Sequence, residues 1–135
     1  MSQNEYTVIA GGEIFVFTKD QLESEPDNYF AVYFLGTHEE AIDGANEMTL
    51  QIEPLLFKII QAHLRGYVAL PIPDACIPPY MTRANALQNL LRDVDFFGLN
   101  RLKELVLEEI QPQYRYMSSL KSQQRFQLRV RKSPE

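Results

Sequence analysis

Asp95-Phe96-Phe97-Gly98-Leu99 constrains this chain more than any other stretch. One amphipathic helical pattern ends there on two adjacent aromatics, the chain turns on a glycine, and a second pattern begins at once. Adjacent phenylalanines at a helix end are apolar surface to be packed, and glycine supplies the positive φ that closes a helix at low cost. The stretch predicts two helices meeting at a buried corner, and nothing in it suggests catalysis. Together with a Gly11-Gly12 turn near the start, it describes an assembly module rather than an enzyme.

That first turn separates Tyr6-Thr7-Val8-Ile9-Ala10 from Glu13-Ile14-Phe15-Val16-Phe17, two β-branched and aromatic runs. Glycine tolerates φ > 0 at both central positions, so a tight hairpin is expected. The runs are continuously apolar, which predicts that both faces of the strands are covered. Thr18 and Gln21 have the spacing of a capping box, so a short helix should follow through Leu22. Pro26-Asp27-Asn28 opens a second helix, Tyr29 to Leu35, closed by Gly36, with Asp27 as its expected N-cap.

Residues 37 to 48 are polar and read as an exposed loop, although Met48-Thr49-Leu50-Gln51-Ile52 alternates as a strand does. Pro54 suits the first turn of a helix, where its missing N–H is no loss. Behind it Leu55, Leu56, Ile59, Ile60, Leu64 and Tyr67 mark one buried stripe, ended by Gly66. Four prolines between Leu70 and Tyr80 forbid a long helix and predict an extended connection. A helix from Thr82, with Ala84, Leu87, Leu90, Leu91 and Val94 inward, then runs into the Phe96-Phe97 corner. Asn100 is the expected cap of the last helix, whose inner face is Leu102, Leu105, Val106 and Ile110.

At 135 residues the chain has room for one core. The expected division is an N-terminal tail (1–5), one domain (6–110) and a basic C-terminal extension or linker (111–135). Residues 1–110 carry 7 Lys+Arg against 17 Asp+Glu, net −10, whereas 111–135 carry 6 against 1, net +5. An acidic domain is a poor nucleic-acid binder, because counterion release needs clustered cations. The tail interleaves Tyr114, Tyr116, Phe126, Leu128 and Val130 with its cations and reads as a helix plus an accessory strand or as a linker. No run approaches the roughly 18 apolar residues of a membrane span, and Met1 to Glu5 lacks a secretory pattern. An intracellular protein is expected, cytoplasmic with the nucleus as the alternative.

Chemistry-bearing residues are sparse. Gly11-Gly12 lacks the further glycine and the Lys-Ser/Thr of a phosphate loop. His38, His63 and Cys76 have no companions at metal-ligand spacing. Glu39, Glu40, Asp43 and Glu47 need only solvent to explain them. No catalytic residue, metal or cofactor is expected. The Tyr33, Phe34 and Leu35 end of the second helix is the expected exposed patch, since a small domain cannot bury every face of every element.

The order of elements and six motifs resemble the BTB/POZ domain of the potassium-channel tetramerisation type. The motifs are Val8-Ile9-Ala10-Gly11-Gly12-Glu13-Ile14-Phe15; Leu22 with Pro26-Asp27-Asn28; Tyr33-Phe34-Leu35-Gly36; Leu50 to Phe57 around Pro54; Leu64 to Tyr67 with Leu70-Pro71; and Leu90 to Leu99. Glu53 stands where the family has a helix-capping aspartate, and the interfacial zinc site of channel members is absent. The resemblance implies an α+β fold, a small sheet packed on five or more helices. It also implies self-association as a tetramer or pentamer and docking of a cullin, so that a ubiquitin ligase reaches a substrate. On that analogy the loop after Leu35 and the segment 75–82 face the cullin, giving Tyr33, Phe34, Leu35, Ile77 and Tyr80 as partner-binding residues. Gly11, Gly12, Pro54, Phe96, Phe97 and Gly98 are its structural motif. Two other readings remain at this stage: a scaffold that only oligomerises, and a regulator whose basic tail meets nucleic acid or membrane.

Overall fold

A computed structural model describes residues 5–36 and 46–112 of the chain. Strands Glu5–Ala10 (β1) and Glu13–Thr18 (β2) form the expected hairpin, with Ala10 opposite Glu13 and Glu5 opposite Thr18. Gly11 and Gly12 take φ of +56° and +90°, the pair of positive values that matches the twist of the flanking strands. β1 begins at Glu5, inside the expected N-terminal tail. The capping box forms as expected, with reciprocal Thr18 and Gln21 hydrogen bonds opening helix Lys19–Leu22 (α1).

Helix Tyr29–Leu35 (α2) is capped by Asn28, not by Asp27. Asp27 is held at φ +60° in the turn after Pro26, so the capping position falls one residue later. The buried Asn28 amide is fully used: its oxygen accepts from Phe30 and Ala31 N–H at 2.8 and 3.1 Å, and its nitrogen donates to the Leu22 and Glu25 carbonyls. The expected loop over 37–48 lies outside the described residues as far as 45. Its last two residues instead belong to strand Glu47–Leu50 (β3). β3 runs parallel to β1, giving the sheet order β2-β1-β3. It stops at Leu50 rather than Ile52 because β1 turns away at Gly11, whose N–H is the last to reach Leu50, at 3.0 Å.

One sheet face is covered, not both. Val8, Phe15, Phe17 and Met48 are buried, while Ile14, Val16 and Thr49 are exposed. Against the inner face lies helix Pro54–Leu64 (α3), with Pro54 in its first turn and the Glu53 carboxylate accepting from Leu55 N–H at 3.0 Å. Glutamate therefore does the capping expected of aspartate. Tyr67 leaves the predicted stripe and is exposed, because the left-handed Gly66 turns the chain out of the helix.

The proline-rich connection is extended apart from a 3-10 turn, Asp74–Cys76, and a turn closed by Met81 N–H on the Pro78 carbonyl at 2.9 Å. It is pinned at buried Ile72, whose N–H donates to Glu109 at 3.1 Å and whose carbonyl accepts from Arg83 at 2.9 Å. Thr82 caps helix Arg83–Phe96 (α4). Ala86 is buried in place of the expected Ala84, which faces out. The last helix, Asn100–Ile110 (α5), includes Asn100 instead of being capped by it. The N–H of Arg101 is instead taken by the distant Glu25 carboxylate. Leu102 and Val106 face inward as expected, but Leu105 is exposed.

Only half of the aromatic corner is buried. Phe97 retains 2% of its surface and Phe96 67%. Successive helical side chains point about 100° apart, so two adjacent rings cannot both enter one core. Phe97 belongs to a run of edge-to-face and tilted rings: Phe57 contacts Phe15 and Phe30 at 4.8 and 5.9 Å, and Phe30 contacts Phe97 at 4.6 Å. The corner also fixes α2, since the Phe97 carbonyl accepts from Tyr29 N–H at 2.8 Å. The result is an α+β fold, three strands and five α-helices among the described residues. No described helix is long and apolar enough to cross a membrane.

Candidate functional site

Among the described residues, besides Tyr67 and Val68 after α3 and Leu105 on α5, three places leave hydrophobic or aromatic side chains in water. The first is the outer face of the sheet. Paired residues across a ladder point the same way, so Ile14 with Ile9, and Val16 with Thr7, share this face, extended by Thr49 and Glu47 on β3. Ile14 is 69% exposed at its centre.

The second lies where α2 meets the corner. Phe30 and Phe34, one turn apart, both face the core, which leaves Tyr29, Val32 and Tyr33 on the opposite stripe. The Tyr29 ring lies 5.4 Å from that of Phe96 and 6.3 Å from that of Tyr33. Phe34, expected to be exposed, is buried and packs 5.2 Å from Tyr6. Tyr33 and Leu35 are half-buried, and the water-facing part of the helix is Tyr29 and Val32, the latter 52% exposed. One turn before Phe96 on α4 stands Asp93, a half-buried carboxyl with no hydrogen bond or ion pair. Burial pushes it up to about 6, against the opposing pull of Arg92.

The third is the end of the proline-rich connection. Tyr80 is exposed and its hydroxyl donates to Glu53, the residue that caps α3. That hydrogen bond holds the phenol above its ordinary range. Ile77 nearby is half-buried. No described ring contact or hydrogen bond joins Tyr80 to Tyr33, so the predicted partner-binding residues are not brought together by direct contact.

Among the described residues, the buried acid–histidine pair is Glu25 with His63, 2.7 Å apart. Its second oxygen accepts from Arg101 N–H, and Glu25 keeps only 2% of its surface. Both oxygens hold the fold together, and a substrate has no access to them. Sequence reading missed Glu25 because its partners stand 38 and 76 positions away. His38, Glu39, Glu40 and Asp43 lie outside the described residues, and Glu47 sits exposed on β3. Among the described residues no three His, Cys, Asp or Glu side chains are grouped to hold a metal. Cys76 stands alone, its thiol raised by burial. Compared with protein-family models and with curated proteins, the chain matches none.

Proposed function

We propose that this chain is a BTB/POZ-type protein-interaction module that assembles with copies of itself and presents the combined surface to other proteins. The observation that carries the reading is the uncovered sheet face centred on Ile14 and Val16. Three strands with helices on one side leave β-branched side chains on the other with no described residue to bury them, and a neighbouring copy supplies that cover. The order of hairpin, helix pair, parallel strand, helix and cornered helix pair supports the family reading. Ring assembly into a tetramer or pentamer raises the local concentration of whatever each copy recruits. A cullin is the proposed recruit, in an intracellular setting, with Tyr33, Leu35, Ile77 and Tyr80 on the docking side and with no catalytic step in the module itself.

Light scattering on the purified chain tests the assembly. A tetramer or pentamer is expected, and Ile14→Lys should reduce it to monomer without loss of helical signal. A monomer at tens of micromolar overturns the reading. Calorimetry against a cullin N-terminal region tests recruitment, with Tyr33→Ala expected to weaken binding. Phe34→Ala is unsuitable for that purpose, since it opens the core. Oligomers without any cullin heat leave a scaffold that only self-associates.

A further inference from the structure

The basic tail finds no use in the proposed assembly, and the patch around Tyr29 finds none either. We infer that the tail docks in cis on the Tyr29–Val32–Phe96 patch, setting an arginine of the segment 125–131 over the exposed rings and against the Asp93 carboxylate. This proposal is independent of the sheet-face reading.

Three observations bring the two together. Phe96 and Tyr29 present neighbouring rings to water at 5.4 Å, and aromatic faces attract guanidinium groups. Asp93 lies one helical turn from Phe96 and is half-buried with no direct ion pair, only the partial pull of Arg92, a costly arrangement that an arriving cation relieves. The raised carboxyl of Asp93 agrees with that lack of a partner. Exposed Asp27 adds acidic charge near the same patch, whereas Asp95 is already paired with Lys103 at 2.8 Å.

The tail has the complementary chemistry. Arg125, Arg129 and Arg131 alternate with Phe126, Leu128 and Val130, so one segment offers both guanidinium groups and apolar side chains. Reach is sufficient. α5 starts beside the corner and its 11 residues carry the chain only about 16 Å from it. Residues 113–124 can span about 40 Å when extended, which returns segment 125–131 to the patch. The tail is covalently attached, so even weak contacts act at high effective concentration.

The test uses the full chain carrying Cys76→Ser and Ser122→Cys, with a nitroxide on the new thiol and paramagnetic broadening read by NMR. Selective loss of signal at Tyr29, Val32 and Phe96 is expected, abolished by Arg125→Glu/Arg129→Glu/Arg131→Glu and strongly reduced by Phe96→Ala, which removes only an exposed ring. Broadening should recede as salt is raised to 0.5 M. Uniform weak broadening, or broadening concentrated at the groove of Ala84, Leu87 and Ile110 between α4 and α5, overturns the proposal. So does broadening seen only between spin-labelled and isotope-labelled copies in a mixed sample, which would put a neighbour's tail on the patch.

Discussion

The Glu25 carboxylate bridges His63 Nε2, at 2.7 Å, and the Arg101 backbone N–H, and so ties the turn before α2 to the end of α3 and the start of α5. Asn28 reinforces the same turn by donating to the Glu25 carbonyl at 2.6 Å. Glu25→Ala leaves a part-buried N–H and a largely buried imidazole without their acceptor. A loss of about 2 to 3 kcal/mol in urea unfolding is expected. Glu25→Gln keeps an acceptor for one of the two donors and should cost less than half as much. Equal losses from both variants would mean that the charge alone, and not the bridge, is what counts.

Gly11 and Gly12 share a turn but should tolerate substitution unequally. A Cβ on Gly11 would stand 2.5 Å from the Ile52 carbonyl oxygen and 2.6 Å from Pro54 Cδ, whereas one on Gly12 meets nothing within 4 Å. Gly12→Ala carries only the conformational cost of positive φ, about 1 kcal/mol. Gly11→Ala adds a clash with backbone and with the first turn of α3. Its thermal midpoint should fall at least twice as far, checked by circular dichroism melts of both variants.

Local signals in the sequence carried most of the fold, and the deviations share a cause. The hairpin, the Thr18–Gln21 capping box, Pro54 and the Gly98 corner depend on residues within a few positions of one another, and each forms as its local chemistry dictates. For Asp27, Asn100, Ala84 and Phe34 the local pattern points to roles that tertiary packing decides otherwise. Asn100 yields its capping role to a carboxylate 76 positions from Arg101, which no local window contains. The α2 helix shows the limit for surfaces. Apolar all round, it gives no sign of which stripe faces water until Phe30 and Phe34 are seen against the core. Likewise the continuous apolar runs of the hairpin do not reveal that helices cover only one side.

The Phe96–Phe97 pair separates packing from exposure in adjacent residues. Phe97→Ala removes a buried ring that touches Phe30 at 4.6 Å, and a loss of about 3 to 5 kcal/mol is expected from cavity formation. In 0.5 M salt, where the tail's cations are screened, Phe96→Ala removes a ring that is two-thirds exposed and should cost about 0.5 kcal/mol or less. Chemical denaturation distinguishes them directly. A large loss at Phe96 under those conditions would show that its ring packs as firmly as that of Phe97.

Asp93 gives the fold a pH dependence of the less common sign. Its carboxyl rises from 3.8 to about 6 on folding because burial disfavours the charged form, while Arg92 opposes the shift. Between those values the folded chain holds a proton that the unfolded chain releases. The contribution of this group to stability is therefore full below about pH 4 and is lost as pH rises through 6. Asp93→Asn keeps the shape and cannot ionise. In 0.5 M salt, where the tail's cations are screened, the variant should match the parent at pH 4 and exceed it at pH 7.5. The gain should be about 1 kcal/mol, well below the full conversion of the shift because solvent reaches part of the carboxyl. Urea midpoints at pH 4, 5, 6 and 7.5 measure the divergence. Parallel curves for parent and variant would remove Asp93 as its source.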